Sequence, residues 1–345
     1  MPSTPPFGSR SVPSSEPTVT LFGVTYHEPR DRLQRLRDSL LHQDFEGTMQ
    51  FVIAAPDADH ADLHDVFGSW TRGPVRVLAN PSGSRTVGLN ACLDAANGEH
   101  AVRVDARSRL SPGHVRRCVQ RLVDTPTVGV VGGHQVACVE TVAPVVTRGI
   151  ARALQNRWLL GNAAYRDSAA SGAVDTVYLG AYRTADARAI RYDERLDANE
   201  DFDLCRRYRN ADATVWLEPD LDVRYEPRRT WNELFRQYRS FGRAKVQMWR
   251  TTEASPDPRQ YAGLLAAGGA LAVLAAGLRS PAIPLAAAAV GIGAVLTTDQ
   301  VVGAGSAPVR VRVAALPAHV AIELGWLSGI AQGITRRAVH RDVAT

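Results

Sequence analysis

Between residues 19 and 131, short apolar runs alternate with segments of helical period, and this alternation narrows the possible folds more than any other feature. Val19–Thr25, Met49–Ala55, Val75–Ala79, Ala101–Val104 and Val128–Val131 read as strands. Brief, nearly unbroken apolar runs are expected of strands buried on both faces. Between them, Arg32–His42 sets Leu33, Leu36, Leu40 and Leu41 on one helical face. Asp62–Trp70, Thr86–Ala96 and Val115–Val123 also read as helices, the second stopping at Asn97-Gly98. Strands that alternate with helices imply an α/β domain with a mostly parallel sheet, covered on both faces.

Charge and cysteine content exclude several classes of protein. The 345 residues carry 40 Lys+Arg against 35 Asp+Glu, a formal charge of +5, which is too small an excess to argue for nucleic acid as a partner. Lys245 is the only lysine, so nearly all the positive charge is guanidinium, a group suited to phosphate. Cys92, Cys118, Cys138 and Cys205 form no CxxC pair and no zinc-ligand spacing with His. They read as small buried apolar residues in a reducing compartment. Residues 1–18 are rich in Pro and Ser without an apolar core. They read as a disordered leader rather than a signal peptide, which keeps the domain in the cytosol.

The composition changes after residue 227. Residues 228–259 open with a basic, aromatic stretch in which Arg228, Arg229, Arg236, Arg239, Arg243, Lys245 and Arg250 face Glu233 alone, interleaved with Trp231, Phe235, Tyr238, Phe241 and Trp249. Such a segment suits a membrane surface or a polyphosphate. In residues 260–345, Tyr261–Leu278 and Ala282–Leu296 are uncharged and rich in Ala and Gly, as expected of a helical hairpin in a membrane. Leu316, Val320, Leu324, Leu327, Ile330 and Ile334 then form a stripe at helical spacing, flanked by Arg310 and Arg312 before and Arg336, Arg337 and Arg341 after. A third crossing would place one basic cluster on the outer face, so an interfacial amphipathic helix is expected.

Three constellations carry candidate chemistry. Asp105 follows the fourth strand, where open α/β sheets bind ligands, and a carboxylate there can hold a divalent cation against a diphosphate. An Asp in this position also serves as an ordinary turn residue. Between Asp193 and Asp203 six acids fall in eleven residues; one of them could act as a general base, while the helix macrodipole alone also favours acids in a first turn. Asp175–Tyr182 reads as a strand containing Gly180, which permits close approach of a ligand to the backbone.

Together, HQDFEG, ANPSGSRTVGLNACLDAANGE, VRVDARSRLSPGHV, VDTVYLGAYR, DERLDANEDFDLCRRYRNADATVWLEPDLDVRYEPR and QYRSFGRAK resemble the family-2 glycosyltransferases, in particular the membrane-associated subgroup of succinoglycan-type biosynthesis. The resemblance covers about residues 19–335. It implies a GT-A fold over residues 19–227, a Rossmann-like nucleotide-binding sheet, followed by C-terminal membrane-associated helices. It also implies inverting transfer from a nucleotide-sugar to a lipid-linked or membrane-proximal glycan at the cytoplasmic face of the membrane, assisted by Mg²⁺ or Mn²⁺.

In that pattern Asp105 matches the metal and diphosphate carboxylate, Asp201 the general base, and Glu200 its support. Tyr26, His27 and Glu28 fall where the first strand meets the nucleoside. Arg239, Arg243 and Lys245 match cations that face the diphosphate or an anionic acceptor. Two positions depart from the pattern. The Asp expected directly after the second strand is missing, leaving Asp57 at a shifted position. Arg107 stands two residues after Asp105, where its guanidinium cannot ligate a metal; either water and phosphate complete the cation's shell, or Arg107 itself supplies charge. A non-catalytic scaffold homologue and a nucleotidyltransferase are the competing possibilities. The latter usually needs a Gly-rich loop after the first strand, and Thr25–Arg30 contains no glycine.

Overall fold

The sheet strands begin at Thr18, and the computed structural model describes residues 18–156, 163–167, 169–196, 198–252, 261 and 307–335. Residues 1–17 of the leader and the predicted hairpin, apart from Tyr261, lie outside the described residues, and Thr18 belongs to the first strand rather than to the leader.

The chain divides into two compact units, one comprising residues up to Val136 with Ala164–Glu226, the other Ala137–Ala163 with Pro227 onward. In the first unit, β1 (Thr18–Val24), β2 (Thr48–Ala55), β3 (Val75–Ala79) and β4 (His100–Arg103) are parallel neighbours in the order β3-β2-β1-β4. The helices between them are α1 (Arg30–Leu41), α2 (His60–Phe67) and α3 (Arg85–Asp94). The sheet continues through β5 (Ser108–Leu110), α4 (His114–Asp124), β6 (Val128–Ala137), β7 (Gly172–Ala173), β8 (Tyr178–Arg183), α6 (Thr184–Ile190), α7 (Glu200–Asn210) and β9 (Thr214–Tyr225), with α5 (Val145–Gln155) in the other unit. β8 runs antiparallel to β4 and to β6, and β9 runs antiparallel to β5 and β7. The sheet is therefore mixed, and the expectation of a mostly parallel one holds only for its first four strands. Apolar period reports burial, not strand direction.

Side-chain alternation along the strands builds two cores. Val19, Leu21, Met49, Phe51, Ile53 and Val102 pack with Leu33, Leu36 and Leu40 of α1, Leu63 of α2 and Leu122 of α4. Phe22, Val52, Ala54, Ala101 and Tyr182 pack with Leu89 of α3, Ala187 of α6 and Leu204 and Tyr208 of α7. Arg103 has the same strand parity as Ala101, which assigns it to the α3–α6–α7 side. Gly23 is required where β1 meets β4, because a Cβ there would lie 2.6 Å from the Val104 carbonyl oxygen. Cys92, Cys118 and Cys205 are buried as expected, and burial pushes the Cys92 thiol up to about 12. Cys138 is exposed, correcting the expectation of four buried thiols; it follows the end of β6.

In the second unit, the basic segment forms α8 (Trp231–Thr251) and the C-terminal stripe belongs to α9 (Val309–Thr335). Among the described residues, α9 is the one helix long and apolar enough to cross a membrane, with a mean hydropathy of 1.4. Of the large apolar stripe read from sequence, Ile330 alone is buried. Val320, Leu324 and Ile334 are exposed, while Ala318, Gly325, Gly329 and Gly333 are buried. A Cβ at Gly329 would meet the Arg239 carbonyl oxygen at 2.1 Å, and one at Gly242 would meet that of Trp326 at 2.1 Å. Small residues let the two backbones touch, the mode of packing common between membrane helices. Arg250 donates to the carbonyls of Gly333 and Ile334 at 2.8 and 2.9 Å, serving the last turn of α9.

Candidate active site

The candidate residues of the first unit gather where β1, β2 and β4 end, the edge at which open α/β sheets bind ligands. Just past β4, the Asp105 carbonyl accepts from the Ser108 amide at 2.8 Å, and Asp105 Oδ1 accepts from the Arg107 amide at 2.8 Å. This tight turn fixes the carboxylate. Its Oδ2 lies 3.7 Å from Arg85 Nη1 at the start of α3, an ion pair too long for a hydrogen bond. That oxygen keeps the capacity to ligate, and a carboxylate oxygen is the donor that Mg²⁺ or Mn²⁺ takes. Among the described residues no group of three or more His, Cys, Asp or Glu could cage a metal. Asp105 would therefore hold a cation only together with donors other than a protein cluster.

Arg85 also approaches Glu200, with its Nε 3.7 Å from Oε1. Asn199, in the left-handed region at φ 63°, turns the chain sharply into α7. The first two residues of that helix, Glu200 and Asp201, meet Arg103, the last residue of β4. Arg103 Nη2 donates to Glu200 Oε1 at 2.8 Å, and Nη1 pairs with Asp201. Arg103 is 2% exposed and its guanidinium carbon lies 5.6 Å from the centroid of the Tyr192 ring. Burial pushes the Glu200 carboxyl up, but Arg103 and Arg85 outweigh it and hold the group below its ordinary range. The two acids differ in access: Glu200 is 5% exposed, whereas the Asp201 side chain is 30% exposed.

Arg107 turns to Glu28, with its Nε 3.4 Å from Oε1. Glu28 in turn pairs with Arg32 of α1, which also donates to Glu226 at 2.9 and 3.3 Å. Arg35 reaches Glu226 at 3.1 Å and Asp31 at 2.6 Å. Glu28 is thus engaged by two arginines. Tyr26 is 61% exposed, and its ring centroid lies 4.3 Å from that of His27. His27 has φ 48°, and its backbone amide and Nδ1 both contact Asp59, at 2.7 and 2.8 Å. Asp57 is 78% exposed at its side chain and comes no closer than 3.9 Å to His60. The carboxylate that reaches the loop after β1 is therefore Asp59. Arg239, Arg243 and Lys245 lie on α8 in the other unit, with Lys245 buried.

Sequence reasoning did not single out Arg85, Arg103, Arg32 or Glu226. The one available signal was a charged residue, Arg103, at an inward position of an otherwise apolar strand.

Known proteins share sequence and fold with this chain. Residues 22–175 match the model of glycosyl transferase family 2. The chain is 25% identical over 233 residues to the succinoglycan biosynthesis protein ExoA of Rhizobium meliloti, covering 66% of this chain and 69% of that protein. A mannosyltransferase from Pyrobaculum calidifontis, PcManGT, solved with GDP-Man and Mn²⁺, shares the fold with a TM-score of 0.55 at 17% identity, covering 96% of this chain and 90% of its own. Over residues 22–175 the chain is thus similar to the family-2 glycosyltransferases, and it shares the fold of a solved member of that type.

Proposed function

We propose that the chain is an inverting glycosyltransferase that moves a hexose from a nucleotide-sugar to a lipid-linked or membrane-proximal glycan at the cytoplasmic face of the cell membrane. The observation that carries this is the convergence of Asp105, Glu200 and Asp201 around the two guanidinium groups of Arg85 and Arg103. Differential access supports distinct roles for the two acids of α7. Glu200 is buried and bonded to Arg103, so it supports, while Asp201 keeps an open side from which to meet a hydroxyl.

In the reaction, the Asp201 carboxylate accepts the proton of the acceptor hydroxyl as its oxygen bonds to the anomeric carbon. The bond from that carbon to the diphosphate oxygen breaks on the opposite side, and the nucleoside diphosphate leaves with the electron pair. Arg85, half-exposed beside Asp105, is placed to offset the charge that develops there. Asp105 would hold the divalent cation, which supplies Lewis-acid stabilisation to the leaving phosphate. Arg107 acts through its amide, which orients Asp105, and through its pairing with Glu28. Tyr26 and His27, braced by Asp59, form the nucleoside end, with Asp57 at its rim. Arg239, Arg243 and Lys245 remain candidates for anionic groups of the acceptor or diphosphate.

A thermal-shift series with GDP and UDP, each with Mg²⁺ or Mn²⁺, tests the function, since a ligand that binds only the folded state raises its stability. GDP is the first choice because the similarly folded mannosyltransferase is in complex with GDP-Man and Mn²⁺. One nucleoside diphosphate should stabilise the chain in a cation-dependent way, and Asp105→Ala should abolish the cation dependence. No stabilisation by either nucleotide sinks the proposal. Membrane attachment is tested separately by flotation with vesicles containing anionic lipid. The chain should float with them, supported by the exposed Val320, Leu324 and Ile334 of α9 and the basic surface of α8. Recovery in the soluble fraction at physiological salt counts against it.

A further inference from the structure

Arg103 is the most buried cation of the site, and nothing in the reaction above requires it to touch either substrate. We propose that Arg103 is a positioning residue that sets the general base, an inference resting on the transferase function proposed for this site. Its planar fork is shared between two carboxylates, Nη2 to Glu200 and Nη1 to Asp201. Because the fork is rigid, it dictates the separation and orientation of the two groups it holds.

The guanidinium is itself immobilised. Tyr192 lies against it, the Tyr192 hydroxyl is 3.4 Å from that of Tyr182, and the Tyr192 amide donates to Asn90 of α3 at 2.9 Å. The helix macrodipole accounts for acids in a first turn but not for burying one; a buried carboxylate needs a partner cation. Here that cation sits two residues before Asp105. The end of β4 and the turn after it therefore carry both the cation that holds the base and the donor-side carboxylate. A lysine, a point charge with rotatable donors, would keep the charge without this geometry.

The test compares Arg103→Lys with the wild-type chain, using hydrolysis of whichever member of a GDP- and UDP-hexose panel the wild-type chain turns over with Mn²⁺. The expected result is a fall in kcat of about 10²-fold, the scale of an ångström-level misplacement, with the KM for the donor and the affinity for the nucleoside diphosphate changed less than about threefold. Because Arg103→Met leaves buried carboxylates unpaired, Arg103→Met with Glu200→Gln is the second variant. It should be folded, bind nucleoside diphosphate and show the same kcat defect. Wild-type kcat in either variant overturns the proposal, as does a loss confined to KM, or failure of Arg103→Lys to fold, which would make the residue structural. If the wild-type chain neither binds nor turns over any of these nucleotides, the transferase function fails instead, a result distinct from all of the above.

Discussion

Asp201→Asn is expected to reduce sugar transfer by about 10³-fold, within the range contributed by a general base, while leaving nucleoside diphosphate binding close to that of the wild-type chain. The amide keeps the shape of the side chain but cannot take the acceptor proton. Asp201 is held by Arg103, whereas Asp105 pairs with Arg85. Glu200→Gln distinguishes the members of the pair. With its carboxyl buried against Arg103, that change should act on stability and on the placement of its neighbour, with a smaller loss of turnover. Steady-state kinetics together with calorimetric titration of GDP or UDP would decide. Turnover of Asp201→Asn within about tenfold of wild type would move the base elsewhere.

Arg32→Met carries the largest expected cost in stability. Arg32 is buried, joins Glu28 to Glu226, and ties α1 to the segment after β9. Removing one partner of a buried ion pair typically costs about 3–5 kcal/mol because the remaining charge is stranded. Here two carboxylates would lose it, although Arg35 and Arg107 would still reach Glu226 and Glu28. Chemical denaturation of the purified chain reads the change directly, and a shift below about 1 kcal/mol would show that the flanking arginines suffice. Because Glu28 also orients Arg107, the variant should weaken cation-dependent binding of nucleoside diphosphate as well.

The elements with strong period were legible without coordinates. Val75–Ala79 is the strand read from its apolar run, and α1 buries Leu33, Leu36 and Leu40 as its spacing required. What was not legible involves residues whose partners are distant in the chain. Arg32 reads as a polar position on an amphipathic helix, yet beside the nearby Glu28 it binds a partner 194 residues away. Arg103 reads as an interruption of a strand, yet it meets acids 97 and 98 residues on. Strand direction was equally hidden, because a short buried strand has one composition whether it runs parallel or antiparallel. On α9 the packed face was hidden for a different reason. Large apolar residues mark the packed side of a helix in water, but here the contact is made by glycines, which carry no hydrophobic signal.

Arg103 ends β4, and Asp105 lies two residues on, in the turn just past it. Any breathing of the sheet that carries β4 forward or back displaces both by one common vector. The spacing between the cation that holds Asp201 and the carboxylate of Asp105 would then change little in such motion.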